Sequence, residues 1–261
     1  MKIKEVVDAL ERFAPLPMQE SYDNAGLQVG LTEAEVSGAL LCLDVTEKVI
    51  DEAVALGCNL VVSHHPLIFH GLKRIIYSDE VQRTVAKALK NDITVVSMHT
   101  NMDNANGGVN FKIAEKMGLG ACRFFAGKSV DGIECGSGVI GELPEPLAAD
   151  DFVIMLKRKF DVECVECNQL LRRSIKSVAV CGGAGSFLLN DAIAEGADAF
   201  VTGEMHYHEY FGHEQDIQIA VIGHYQSEQY TNEIFKSIIS EKCKGVKTFL
   251  TKTNTNPILY L

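Results

Sequence analysis

The sequence predicts an α/β protein built as two related lobes, and three observations carry that reading. Apolar runs of strand length alternate with amphipathic stretches of helical period. A helix–glycine–strand unit in the first half recurs in the second. Histidines and carboxylates gather just past the ends of the predicted strands. Alternation of this βαβα kind implies a largely parallel, buried sheet. In open sheets of that type, ligands bind outside the carboxyl ends of the strands.

The opening segment, "MKIKEVVDALERFAPLP", places Val6, Val7, Leu10 and Phe13 at helical spacing with charges between them. It reads as an amphipathic helix and not as a signal peptide. "GALLCLD" (38–44) is a strand, followed by a helix over "TEKVIDEAVALG" (46–57) with Asp44 placed to cap it. "NLVVS" (59–63) is the next strand. A helix over 78–91 follows, capped by Ser78, with Val81, Val85 and Leu89 along one face. "ITVVSMH" (93–99) returns to strand. "GKSVDGIECGSGVIGELPEPL" (127–147) is rich in glycine and turn residues and marks the entry to the second lobe.

Residues 49–63, "VIDEAVALGCNLVVS", match residues 188–202, "LLNDAIAEGADAFVT", with Ala53, Ala55, Gly57 and Val62 identical to Ala192, Ala194, Gly196 and Val201. A second echo pairs "ITVVSMHTNMD" (93–103) with "QIAVIGHYQSE" (218–228), so that His99 and Asp103 answer His224 and Glu228. The expected layout is therefore an internal duplication. One lobe takes residues 1–128 plus 224–261, the other takes 129–223, and a metal site lies between them at the strand ends.

Composition narrows the function classes. The chain has 261 residues, 47% of them hydrophobic, which is ample for a core. No run approaches the ~20 apolar residues that span a bilayer. Eight cysteines in a chain without an export signal read as reduced thiols of a cytoplasmic protein. A net charge of −11 argues against broad binding to nucleic acid, which requires several cations facing phosphates.

The chemistry-bearing residues are His64 and His65, His99 with Asp103, Glu204 with His206 and His208, and His224 with Glu228. An adjacent histidine pair alone is as readily surface decoration or hydrogen-bonded structure. Past a strand end, in a turn stiffened by Pro66, both rings can reach one site. Imidazoles and carboxylates are the ligand set of divalent transition metals. Four residues apart on a helix starting after Gly223, His224 and Glu228 share a face. Asp103 arrives from a turn-rich loop. Three histidines and two carboxylates leave coordination positions open on two ions, the mark of a catalytic rather than a structural site.

Other motifs carry less. Cys164 and Cys167 have zinc-type spacing without a second pair. "AGKS" (126–129) lacks the first glycine of a phosphate loop and the helix that should follow it. "CGGAGS" (181–186) reads either as an anion cradle of backbone amides or as a tight turn. Asp23 and Asn24 in "SYDNAGLQVG" read either as turn formers or as site residues.

Taken in order, "DNAGLQVG", "LDVT", "VVSHHPLIF", "HTNMD", "CGGAGS", "ADAFVTGEMHYHE" and "IGHYQSE" resemble the NGG-one-interacting-factor-three-like family over nearly the whole chain. Its members are often named GTP cyclohydrolase 1 type 2 homologues. The resemblance implies two divalent ions (zinc, manganese or iron) on His64, His65, Asp103, His224 and Glu228, with Glu228 bridging. It also implies a toroidal homohexamer, a trimer of dimers, and hydrolysis of a purine nucleotide or related small molecule. His99, Glu204 and His208 are then the candidates for proton transfer beside the metals, and "CGGAGS" a candidate phosphate cradle. A non-catalytic, chaperone-like or regulatory metal-binding ring is the rival expectation. Tyr22 stands where the family usually carries Trp, and the chain is of the short type without an inserted domain.

Overall fold

The computed structural model describes residues 1–259. They form two compact units, Met1–Ala105 with Thr231–Leu259, and Asn106–Tyr230. The first unit opens with α1 (Ile3–Phe13), which buries Ile3, Val6, Val7, Ala9 and Leu10. A short strand β1 (Gly26–Val29) precedes β2 (Ala39–Cys42), α2 (Glu47–Ala55), β3 (Leu60–Ser63), α3 (Glu80–Lys90) and β4 (Thr94–Ser97). All four residues of β2, β3 and β4 are buried, as expected of strands covered on both faces. Both predicted caps move by a residue or two. Thr46 accepts from Val49 N and caps α2, while Asp79 accepts from Gln82 N and caps α3. On α3, Val85 is buried and Leu89 is half exposed, so the apolar stripe is shorter than its spacing suggests. "TNMDN" is a helix, α4 (Thr100–Asn104), and not a loop, because the amides of Met102 and Asp103 both bond His99 O.

The second unit begins with α5 (Val109–Met117), β5 (Gly120–Phe125) and a hairpin of β6 (Lys128–Val130) with β7 (Ile133–Cys135). Then come β8 (Gly138–Leu147), α6 (Ala149–Phe160), β9 (Glu166–Cys167), β10 (Ile175–Cys181), α7 (Leu189–Ala194), β11 (Ala199–Thr202), β12 (Gln218–Val221) and α8 (His224–Glu228). Their sheet runs β5-β8-β10-β11-β12-β9. Only β10, β11 and β12 are parallel, so this sheet is mixed where a largely parallel one was expected. The glycine-rich stretch is not an entry segment, since β8 is the longest strand of the sheet. Its glycines are packing positions. A Cβ on Gly138 would lie 2.5 Å from Phe125, and one on Gly141 would lie 2.8 Å from Cys122 Sγ.

The chain returns to the first unit through α9 (Thr231–Lys242), which packs on α1, and β13 (Thr248–Leu250). β13 completes a sheet of order β1-β4-β3-β2-β13, parallel except for the edge strand β1. The expected lobe boundaries at 128 and 224 therefore move. β5 pairs with β8, and so residues 120–125 belong to the second sheet. α8 continues directly from β12 and stays with it. Each sheet has its own core, one around Leu40, Val61, Val85 and Val95, the other around Ala179, Phe200, Ile217 and Ile219.

The first sequence echo lands on equivalent strands. Ala39 pairs with Leu60 as Val178 pairs with Ala199, and Gly57 and Gly196 both take a left-handed backbone. The second echo slips by one residue. Leu60 pairs with Thr94, whereas Ala199 pairs with Gln218. In that register His99 answers Gly223, the residue preceding each short helix, and α4 answers α8.

Candidate metal-ligand sites

In the first unit, the histidine pair is locked by backbone before any side chain acts. His64 N donates to Cys42 O at 3.2 Å, and His65 N donates to Leu43 O at 3.0 Å, tying the end of β3 to the end of β2. His64 is fully buried. Its Nδ1 lies 2.9 Å from Met98 O. A carbonyl only accepts, so Nδ1 carries the proton and Nε2 presents its lone pair. Nε2 is 3.6 Å from Asp103 Oδ1 on α4.

The same logic recurs at two more rings. His65 Nδ1 donates to Asp44 Oδ1 at 2.7 Å, and His99 Nδ1 donates to Asp23 Oδ1 at 2.7 Å. The three ring centroids are 4.9, 5.2 and 5.5 Å apart. One nitrogen from each of His64, His65 and His99 can be chosen so that all lie within 4.8 Å of one another. Carboxylate or carbonyl oxygens behind histidine ring nitrogens are the usual support of metal-bound imidazoles, because they fix the tautomer and aim Nε2.

The two aspartates are held charged. Burial pushes Asp23 up, but hydrogen bonds from His99 and from Thr100 outweigh it and bring the carboxyl down to about 2. Asp44 is also pushed up by burial and brought below its ordinary value by bonds from His65 and Thr255. Asp23 is thereby a site residue. Its neighbour Asn24 anchors the loop after the histidines, donating to Ile68 O at 2.6 Å, while Gln28 Oε1 accepts from Ile68 N. Asp44 departs from the sequence expectation, since it supports His65 and Thr46 does the capping. A carboxylate just past a strand end, beside the strand that delivers two histidines, is the signal in the sequence that points to this role.

The second unit carries a smaller set. α8 follows Gly223, whose φ of +96° suits glycine. His224 Nδ1 is 2.9 Å from Glu204 Oε1, and Nε2 is 3.0 Å from Glu228 Oε2, one helical turn on. Glu228 is buried, 4% exposed. A neutral imidazole has one donor, so two carboxylates on one ring require either a second proton or a cation at one of the nitrogens. The donor set thus fits a divalent transition metal.

Within "CGGAGS", Gly183 makes room for this carboxylate. A Cβ on Gly183 would lie 2.2 Å from Glu228 Oε1, and one on Gly203 would lie 2.7 Å from Gly183 O. Three of the loop's amides are committed within the fold: Gly182 N to Asn110 Oδ1, Gly183 N to Ser227 Oγ, and Gly185 N to Thr202 Oγ1. These bonds and the left-handed backbone of Gly183 make the segment a tight turn. His208 lies exposed in the turn Tyr207–Tyr210, its ring against Tyr207 and Phe211, and His206 is exposed beside it. Cys164 is exposed, and burial first, then Cys164 and Glu166, push the Cys167 thiol up to about 11. Among the described residues, no candidate metal-holding group includes a cysteine. "AGKS" leads into the strand β6, not a helix. No helix among the described residues is long and apolar enough to cross a membrane.

Known proteins share this fold and sequence. A family model described as Duf34/NIF3 (NGG1p interacting factor 3) matches residues 1–257. A Clostridium perfringens protein named GTP cyclohydrolase 1 type 2 homolog is 34% identical over 229 residues, covering 87% of each chain. The crystal structure of Staphylococcus aureus protein SA1388 superposes with a TM-score of 0.91 at 27% identity, covering 100% of this chain and 99% of that one. A Bacillus cereus protein related to NIF3 shares the fold, with a TM-score of 0.90 at 24% identity. With the match running from the first helix through the C-terminal strand, the chain belongs to the Duf34/NIF3 family.

Proposed function

We propose that the protein holds two divalent transition-metal ions on His64, His65, Asp103, His224 and Glu228 and uses them to hydrolyse a nucleotide or related small molecule. The observation that carries the reading is the shared support of four histidines. In His64, His65, His99 and His224, Nδ1 faces an oxygen acceptor at 2.7–2.9 Å, which leaves Nε2 of His64, His65 and His224 for coordination and Nε2 of His99 for proton transfer. Bound ions supply Lewis acidity and a water acidified toward neutrality.

The chain's own residues do the rest. Asp44, Asp23 and Glu204 hold ring orientation through Nδ1. Glu228, buried against the glycine loop, is fixed in place and would hold metal through its carboxylate. His99, with a charged aspartate behind it, and Glu204 are the candidates to hold or pass a proton for a leaving group, a role their ion pairs support. His208 sits on an exposed turn and joins this proposal only as a further candidate proton carrier. The name of the Clostridium perfringens relative, a GTP cyclohydrolase 1 type 2 homolog, makes purine nucleotides the first substrates to test. A cytoplasmic homohexamer, implied by the resemblance, belongs to the same proposal, and light scattering tests the assembly.

The test of the function is a panel of nucleotides and phosphoesters assayed with zinc-, manganese- and iron-loaded protein. Turnover that disappears in Asp103→Ala, with circular dichroism unchanged, is the expected result. Metal-loaded protein that turns over nothing in the panel contradicts hydrolysis and leaves a metal-binding assembly.

A further inference from the structure

The last strand of the first unit continues into a strap that ends at the support of a candidate metal ligand. β13 lies parallel to β2, and Thr251 N extends the ladder by donating to Leu41 O at 2.9 Å. The strap is then pinned to α2 by a single carboxylate. Glu52 accepts from Thr251 Oγ1 at 2.6 Å, Lys252 N at 2.8 Å, Thr253 N at 3.3 Å and Thr253 Oγ1 at 2.8 Å. Two residues further on, Thr255 Oγ1 donates to Asp44 Oδ2 at 2.6 Å. The other oxygen of Asp44 accepts from His65 Nδ1 at 2.7 Å.

We propose that this strap is a positioning device for His65, in which Thr255 fixes the carboxylate of Asp44 and Asp44 fixes the imidazole. The proposal rests on the reading of His65 as a metal ligand. A carboxylate with one partner turns freely about its terminal torsion, which is broad and roughly two-fold. A second anchor on the opposite oxygen removes that freedom and sets the plane in which His65 must lie. Asp44 has no duty as a helix cap, because Thr46 serves α2. Its two oxygens are thus shared between the ring and the strap. Thr255 is 211 residues from Asp44 in sequence, so the aim of a ligand at the end of β3 depends on the C-terminal tail being docked. Thr255 is a positioning residue. It acts on the metal through two hydrogen bonds in series.

The test is a double-mutant cycle on the full chain, read as Zn2+ affinity by chelator competition for wild type, Asp44→Asn, Thr255→Val and the double variant. Loss of a partner behind a metal-bound histidine costs roughly 10–100-fold in affinity, and Asp44→Asn is expected in that range. Thr255→Val is expected to weaken zinc binding several-fold, Thr255→Ser to restore it, and the double variant to bind no more weakly than Asp44→Asn. Circular dichroism and the urea midpoint check folding, and Thr255→Ala replaces the valine variant in the cycle if that one unfolds. Wild-type affinity in Thr255→Val, or losses that multiply in the double variant, overturns the strap while leaving the metal reading intact. A wild-type protein that binds no zinc overturns both.

Discussion

Asp23 shows how one carboxylate can decide a local structure. It takes His99 Nδ1 on one oxygen and the amide and hydroxyl of Thr100 on the other, joining the segment before β1 to the start of α4. Its folded pKa of about 2 lies below the ordinary carboxylate value, so its contribution is fully present above about pH 4 and fades as pH falls toward 2. The shift corresponds to about 2 kcal/mol at neutral pH. Asp23→Asn should therefore lower the urea-unfolding free energy by about that much at pH 7, and the gap to wild type should narrow below pH 3. A gap unchanged at low pH would mean that the charge of Asp23 contributes nothing. At this scale the candidate histidines and carboxylates are legible because residue type and position past a strand announce them. The role of Asp44 is not, because capping is a local rule, whereas its partners His65 and Thr255 come from distant sequence.

Among the elements, α8 and its glycine loop leave little room for substitution. Gly183→Ala would set a Cβ 2.2 Å from Glu228 Oε1 at a φ of +57°. Gly196 has a similar φ of +73°, and a Cβ there would meet nothing within 4 Å. Gly196→Ala should thus cost only the backbone penalty, about 1 kcal/mol. Gly183→Ala should cost roughly 1–3 kcal/mol more through overpacking, and should displace Glu228. Thermal unfolding of the pair gives the difference, and equal costs would contradict the close approach. The parallel strands are legible since uninterrupted apolar runs such as Leu60–Val62 leave few alternatives. β8 is hidden because glycine signals turns in sequence, and its need for space beside Phe125 and Cys122 is a tertiary fact. α4 is hidden likewise, as Thr, Asn and Asp favour turns until His99 O supplies the first helical acceptor. The slip in the second echo has a similar cause, since matching histidines align what strand register sets one residue apart.

For the whole molecule, a ligand that binds only the folded state adds stability by mass action. Zinc at about 100 times its dissociation constant should add roughly 2.7 kcal/mol per site, so stripping with a chelator should lower the melting temperature and added metal should restore it. A melting curve indifferent to chelator and metal would contradict folded-state binding. Family membership reached from motif order agrees with a match over residues 1–257, because those motifs sit where the two sheets deliver histidines and carboxylates. The lobe boundaries are less legible, since the chain enters the second sheet through β5 before any change in composition marks it.

Elemental analysis of metal per chain, on wild type, His65→Ala and Glu228→Ala purified without chelators, tests for the two-ion centre. About two ions per wild-type chain, falling in both variants while circular dichroism is preserved, is the predicted result. A wild-type protein that carries no metal, and takes up none when zinc, manganese or iron is added back, would contradict it.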